Sequence, residues 1–388
     1  MIKLKEYNLI WITSVASCQD FSAWGKIDFQ KRINWLLESN SYWKERYNID
    51  NLNIYRQEII WKFIDILQKY WFTKINEVLL SSWVDESVIF IWSHISVLKS
   101  YFLSWDFEWN WFFMKQECIR THNLKTLFDD SIIPKWWSCF TSLWSISTPN
   151  WLNKSCKLVF EYLISWLKIP LDNILVRISS QDKDLLNALE KIWYTWKIEL
   201  DSKSDNYYRH KLWLWDIKWR NFNIALRHWD TNNFNDVWNI ILIEDDKNVY
   251  ATEIAFWFNT ILMELYWLNN IFQTTHMEKY YSINTWLNSK LKDCIISSIH
   301  LLNEWIKPVA SNNKWRILRK YLRWILYFIK KLWLNFDDIL KIIKSYEQDI
   351  FWTNNCINFI KEYISSYENE LTTKKDLSDE DKLIKSLL

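Results

Sequence analysis

From residue 54 to 70, Ile54, Ile59, Ile60, Phe63, Ile64 and Leu67 recur mainly at steps of three and four. That spacing predicts an amphipathic helix, because 3.6 residues per turn gather such positions on one face. Val88-Ile89-Phe90-Ile91 is a short unbroken apolar run and predicts a buried strand. From 116 to 148 the pattern predicts strand, loop, strand: Gln116 to Arg120, a polar loop, then Ser138 to Leu143. Helices are predicted near 154–166 and 181–192. Three strands follow, Phe222 to Arg227, Val237 to Ile243 and Tyr250 to Phe258, leading into a helix over Asn259 to Tyr266. After about 287 the chain reads almost wholly as helix. In 314–334, Ile317, Leu318, Leu322, Ile325 and Ile329 are interleaved with Arg316, Arg319, Lys320, Arg323, Lys330 and Lys331. Residues 1–50 are mixed and polar and carry no assignable pattern. The charged tail 370–388 reads as frayed. Strands first and helices last predict an α+β domain followed by a helical one. The expected division is an extension over 1–52, an α+β domain over 53–285 and a helical domain over 286–388.

Composition changes how the turns are read. The chain has 31 tryptophans and one glycine, Gly25. A soluble protein of this length carries about 27 glycines, and tryptophan is normally the rarest residue. Pro134-Lys135-Trp136-Trp137-Ser138 reads as a turn if the pair is Gly-Gly. Trp105, Trp213 and Trp215 likewise sit where a positive φ is wanted, which glycine adopts without strain. A gene that uses UGA for glycine, translated with UGA as tryptophan, produces this pattern, and the Lys-, Asn- and Ile-rich composition fits the AT-rich genome that would favour UGA. The alternative is a chain that closes all its turns with one glycine and four prolines. We read most tryptophan positions as glycine and name them as printed.

Net charge is +2, so no global charge announces nucleic acid, and a polyanion site must come from local basic clusters. The six cysteines (Cys18, Cys118, Cys139, Cys156, Cys294 and Cys356) form no C-x-x-C pair. They read as free thiols of a reducing cytoplasm, with no metal site expected. No run reaches the roughly 18 apolar residues of a membrane span. Leu9 to Cys18 places small residues before a cysteine, as a lipoprotein signal does. Its apolar stretch is short and broken by Thr13 and Ser14, which favours a strand.

With the tryptophans read as glycine, residues 53–345 resemble the aminoacylation core of the alanyl-tRNA synthetase family, a class II synthetase. Five segments carry the resemblance in order. Ile54-Tyr55-Arg56-Gln57 through Lys69-Tyr70-Trp71 resembles the opening helix. Val88-Ile89-Phe90 through Lys99 and Phe102-Leu103 resembles motif 1. Gln116-Glu117-Cys118-Ile119-Arg120-Thr121-His122-Asn123-Leu124, with the return strand Cys139-Phe140-Thr141-Ser142-Leu143-Trp144-Ser145, resembles motif 2. Trp219 to Ile224, Val237 to Ile243 and Ala255 to Leu262 resemble the amino-acid-site strands and motif 3. Asn303-Glu304-Trp305-Ile306-Lys307-Pro308, Ser311-Asn312 and Trp315 to Arg323 are similar to the family's segment that docks the tRNA acceptor stem.

The resemblance implies a class II antiparallel sheet flanked by helices, and ligation of alanine to tRNA through an adenylate, with ATP and Mg²⁺. Two anions must meet in that reaction, so arginine and Mg²⁺ have to neutralise them. It implies that Arg120 holds the α-phosphate as the catalytic arginine, with His122, Phe140 and Trp257 around ATP. Arginine suits this role through its bidentate fork. His122 could equally be a solvated loop histidine. Asn223, Asn239 and Trp257 fall at the amino acid, and Asn312, Arg316, Arg319 and Arg323 at the tRNA. The bland alternative for the basic helix is a solvated cationic face, and for Asn312 a helix N-cap.

Several charged positions depart from the family. Thr141 stands where the return strand carries glutamate, and the arginine preceding that strand is absent around Trp137 and Ser138. Asn259 and Thr260 stand where motif 3 carries Glu-Arg, and Asn223 where the amino-acid site is acidic. Losing charged partners of a nucleotide costs a few kcal/mol each. Lys218, Arg220 and Arg227 lie close enough in sequence to act as substitutes. The chain stops before the family's editing and oligomerisation regions and has no H-x-x-x-H pair, so self-editing is not expected. Three readings follow: a cytoplasmic alanine-type ligase, an inactive paralogue that binds tRNA or a second synthetase chain, and a ligase using the same chemistry on another acceptor.

Overall fold

The computed structural model describes residues 48–104, 111–132, 134, 136–211, 217–228, 232–306 and 313–373. The Leu9 to Cys18 segment, Trp105, Trp213, Trp215, Asn312 and most of the charged tail lie outside the described residues. In chain order the main helices are α1 (Leu52–Lys69), α2 (His94–Ser104), α3 (Leu152–Glu161), α4 (Lys183–Lys191), α5 (Asp205–Tyr208), α6 (Phe258–Leu265), α7 (Met277–Tyr280), α8 (Trp286–Asn303), α9 (Asn313–Lys331), α10 (Phe336–Phe351) and α11 (Cys356–Thr373). The strands are β1 (Thr73–Lys74), β2 (Phe112–Ile119), β3 (Cys139–Ser147), β4 (Ile174–Ile178), β5 (Ile198–Leu200), β6 (Arg209–Lys211), β7 (Lys218–Arg227), β8 (Phe234–Glu244) and β9 (Val249–Trp257). They form one sheet in the order β1-β2-β3-β9-β8-β7-β4-β5, with β6 paired to β7 off that path. The central pairs β3/β9, β9/β8, β8/β7 and β7/β4 are antiparallel, and β1/β2 and β4/β5 are parallel. This is the expected α+β architecture, an antiparallel-dominated sheet flanked by helices.

The chain divides into two compact units. The first holds the described parts of Met1–Asn76, Asp106–Lys115 and Ser142–Leu268, and the second those of Glu77–Trp105, Gln116–Thr141 and Asn269–Leu388. In the first unit α1 buries Ile59, Ile60, Phe63, Ile66 and Leu67, the face set by its sequence periodicity. Phe63 packs against Tyr162, Trp238 and Phe256 at ring-centroid distances of 5.8, 6.1 and 6.1 Å. Strand alternation sends Phe222 and Ile224 of β7, Ile240 and Leu242 of β8, and Ile254 and Phe256 of β9 into this core. It turns Asn221, Asn223, Asn239, Ile241, Glu253 and Ala255 to the opposite face. In the second unit α8 and α9 pack together with α10 and α11.

One predicted strand is absent. Val88 to Ile91 is irregular, although Phe90 and Ile91 are buried. Asp85 accepts hydrogen bonds from the Ser87 N–H and hydroxyl and from Lys99 Nζ, which curls the chain just before the apolar run. The Ile91 N–H then bonds to Leu80 O, and its carbonyl accepts from the Ile119 N–H, so isolated bonds replace a ladder.

Eight described non-glycine residues have positive φ, and six of them are Trp71, Trp193, Trp267, Trp305, Trp333 and Trp352. All six follow the last turn of a helix: α1, α4, α6, α8, α9 and α10. After the first five, the N–H of the next residue bonds to the carbonyl five residues back (Phe72 to Leu67, Tyr194 to Leu189, Leu268 to Met263, Ile306 to Leu301, Leu334 to Ile329). That is the Schellman ending, with an apolar residue beyond the cap, and its left-handed position is where glycine is preferred. Trp333 and Trp352 are 94% and 89% exposed, so their indoles bury nothing there. Trp238 is different: it is fully buried and stacks on Phe256 at 4.3 Å, an aromatic core position. Trp137 is also buried, with its indole N–H donating to Ile271 O, so the expected Gly-Gly turn holds a packed side chain.

Candidate functional site

In the second unit, Arg120 sits where β2 ends and a short 3-10 turn, Thr121–Lys125, begins. Its N–H donates to Ser138 O at 2.8 Å and its Nε to Trp92 O at 3.2 Å. The latter is a backbone acceptor, so the contact does not depend on the side chain at 92. The guanidinium lies 5.0 Å from the Phe140 ring centre and 5.6 Å from that of Trp92. Burial pulls its pKa below the usual guanidinium value, and the nearby Cys118 acts in the opposite direction. Among the described residues no carboxylate pairs with it. A half-buried cation without an anion is partly desolvated at a cost, so the arrangement suits an incoming anion.

Thr141 lies on the strand face opposite Phe140, and its hydroxyl donates to Glu117 Oε1 at 2.9 Å. The position where the family carries glutamate therefore faces the neighbouring strand and not Arg120. His122 is exposed on the 3-10 turn. Arg120 and Phe140 are the pair of predicted ATP residues that the structure brings together in this unit.

In the first unit, Asn223 and Asn239 are register partners on β7 and β8. Asn223 Oδ1 accepts from Asn221 Nδ2 at 3.0 Å, and Asn221 Nδ2 also donates to Tyr207 O at 3.4 Å. Tyr207 in turn donates to Asp236 Oδ2 at 2.5 Å, and Asp236 Oδ1 accepts from Arg177 at 2.6 Å. Burial first, and then Asp236, push the Tyr207 phenol well up. Among the described residues, the amide oxygens of Asn221 and Asn239 are buried without a partner. Each is an acceptor awaiting a donor, at a typical cost of about 1–3 kcal/mol. Glu253 lies on the same face, opposite Ile241 of β8 and Ile146 of β3, and is 1% exposed. Asn221 and Glu253 escape a reading by family position. The signal that finds them is period-two alternation on β7 and β9, which puts them in phase with Asn223 and Ala255. Trp257 ends β9 on that phase, paired with Ser142.

The three proposed substitute cations are engaged elsewhere. All five N–H groups of Arg220 point at carboxylates: Nε at Glu244, Nη1 at Asp182 and Asp184, and Nη2 at Asp184 and Glu244, over 2.6–3.0 Å. Asp184 first, then Glu244, hold its pKa above the usual range. Arg227 donates to Asn173 Oδ1 and Asp172 O and lies over Phe234, and Lys218 pairs with Asp246.

On α9, Arg316, Arg319, Lys320 and Arg323 fall at i, i+3, i+4 and i+7 and share one face. Arg316 is exposed, whereas Arg323 donates to the Tyr363 hydroxyl and lies 4.6 Å over the Tyr367 ring. The five described cysteines are buried and unpaired. Among the described residues no group of three or more His, Cys, Asp or Glu could hold a metal ion, and no helix is long and apolar enough to cross a membrane.

No family model matches the chain, and no curated protein matches it. Its fold is similar to that of aspartyl-tRNA synthetase from Entamoeba histolytica, at TM-score 0.35 and 11% identity, covering 58% of this chain and 57% of that one. It is similar to the Entamoeba histolytica asparaginyl-tRNA synthetase bound to asparaginyl-adenylate, at TM-score 0.38 and 10% identity over 59% of this chain and 66% of that one. It is also similar to the Pyrococcus horikoshii asparaginyl-tRNA synthetase in complex with the same adenylate, at 0.37 and 8% over 59% and 68%. The chain thus spans between 57% and 68% of the length of these proteins.

Proposed function

We propose that this chain is a class II aminoacyl-tRNA-synthetase-like protein of the alanine type, which binds ATP·Mg²⁺, an amino acid and tRNA. The observation that carries the reading is Arg120, a half-buried guanidinium at the end of β2 that has no carboxylate partner among the described residues and is stacked beside Phe140. In this role Arg120 takes a phosphate oxygen of ATP, and the Phe140 ring offers a face for the base. Magnesium would arrive with the nucleotide, because it keeps waters and binds mainly through substrate phosphates. The unpartnered oxygens of Asn221 and Asn239, with Glu253, form an acceptor set for the three N–H donors of an amino acid's ammonium group. Within the second unit, Arg120 would stabilise charge at the α-phosphate as pyrophosphate leaves. ATP–pyrophosphate exchange, run on protein carrying glycine at the UGA positions with each amino acid in turn, tests the assignment. Exchange with alanine that is abolished in Arg120→Ala is the expected result, and exchange with another amino acid alone would overturn the alanine assignment.

A second reading is favoured by one observation. With Asn259 and Thr260 in place of Glu-Arg, Lys218, Arg220 and Arg227 are all engaged, and none of these three substitutes for the missing motif 3 arginine. An inactive paralogue that still binds ATP or tRNA fits this. ATP binding without exchange distinguishes it.

A further inference from the structure

We infer that Asp293 on α8 is the positioning residue for Arg120. The inference rests on the nucleotide reading only for its effect on ATP. Asp293 is fully buried, and its carboxylate accepts three hydrogen bonds: from Ser138 N at 2.8 Å to Oδ1, and from Ser138 Oγ at 2.7 Å and Asn123 Nδ2 at 2.9 Å to Oδ2. Ser138 and Asn123 are the two ends of the loop that Arg120 opens. The Ser138 carbonyl accepts the Arg120 N–H, and Asn123 lies three residues beyond Arg120, with its amide also donating to Trp136 O. One carboxylate thus ties both strands of the arm that carries Arg120 and Phe140 to the helix. A second side chain of α8 holds a neighbouring part of the same arm. Lys290 donates to the carbonyls of Thr126, Leu127 and Asp129.

A carboxylate buried among neutral donors is an expensive way merely to fasten a loop. It does secure geometry, because three donors from two parts of the loop converge on one buried carboxylate. A shift of about 1 Å in a phosphate-binding group lowers its effect by up to roughly a hundredfold, so the arrangement matters at Arg120.

Asp293→Asn in the full chain tests this. Whichever way the amide turns, one hydrogen-bearing end faces Ser138 N or Asn123 Nδ2, so one contact opposes donor to donor. The expected result is a dissociation constant for ATP·Mg²⁺ raised about tenfold or more, together with displacement or loss of the Arg120 Nε–H resonance, assigned by its disappearance in Arg120→Lys. Lys290→Met, which frees only the carbonyls at 126–129, should lower thermal stability and leave both readouts in place. An unchanged Arg120 resonance in Asp293→Asn overturns the inference, as does an equal displacement in Lys290→Met. If the unsubstituted protein does not bind ATP, the nucleotide reading fails and the resonance alone decides the positioning role. If Asp293→Asn does not fold, Ser138→Ala removes one of the three bonds and is judged by the same readouts.

Discussion

Trp333 and Trp352 hold left-handed backbone with their indoles in solvent, so the side chain contributes nothing that would offset the backbone strain. A non-glycine residue in that region costs roughly 1–2 kcal/mol. Trp333→Gly and Trp352→Gly should each raise unfolding free energy by about 1 kcal/mol in urea titration, whereas Trp238→Gly should lower it by several kcal/mol through the cavity left beside Phe63 and Phe256. Equal effects at the three positions would remove the distinction between cap and core tryptophans. Arg120 and Arg220 form a similar contrast. Both are partly buried arginines, but only Arg120 lacks carboxylate partners among the described residues.

At the scale of elements, Arg220 joins β7 to β8 through Glu244 and to the start of α4 through Asp182 and Asp184. Arg220→Ala strands Glu244, mostly buried, and leaves Asp182 with Arg209 as its cation, and should destabilise the fold by about 3 kcal/mol. ATP affinity should be unchanged in the same variant, and a loss of ATP binding there would restore Arg220 as a nucleotide ligand. On α9 the four cations share a face but not a role. Arg316→Glu with Lys320→Glu should weaken tRNA binding and flatten its dependence on salt, since phosphate contacts release counterions. Arg323→Ala should act mainly on stability, through its lost contacts with Tyr363 and Tyr367 of α11. A filter-binding titration over several salt concentrations separates the two outcomes.

For the molecule as a whole, native protein should weigh about 4 kDa less than the printed chain if all 31 tryptophan positions carry glycine, as ordinary glycine usage suggests. Much of the architecture is legible in the order of residues alone. The helix over 54–70, the strands near 222–227, 237–243 and 250–258 and the basic helix over 314–334 lie close to their predicted limits, because each has one apolar face whose period is written in the chain. β4 escapes that reading although it is a buried five-residue run, and the strand expected at Val88 does not form, because a short apolar run does not say whether a ladder partner exists. At the candidate site, the order of residue types points to Arg120, Phe140, Asn223 and Asn239. It does not show that Arg220 is neutralised, that Asn223 is engaged by Asn221, or that position 141 faces Glu117. Most of those facts depend on residues well apart in the chain meeting across strands. The sequence by itself determined the periodicity of each element, the shortage of glycine at its turns and the positions of the arginines. Only the tertiary structure decided which arginine keeps its charge available and which carboxylate, Asp293, holds the arm that presents it. Local pattern is set by neighbours along the chain, and electrostatic partnership by neighbours in space.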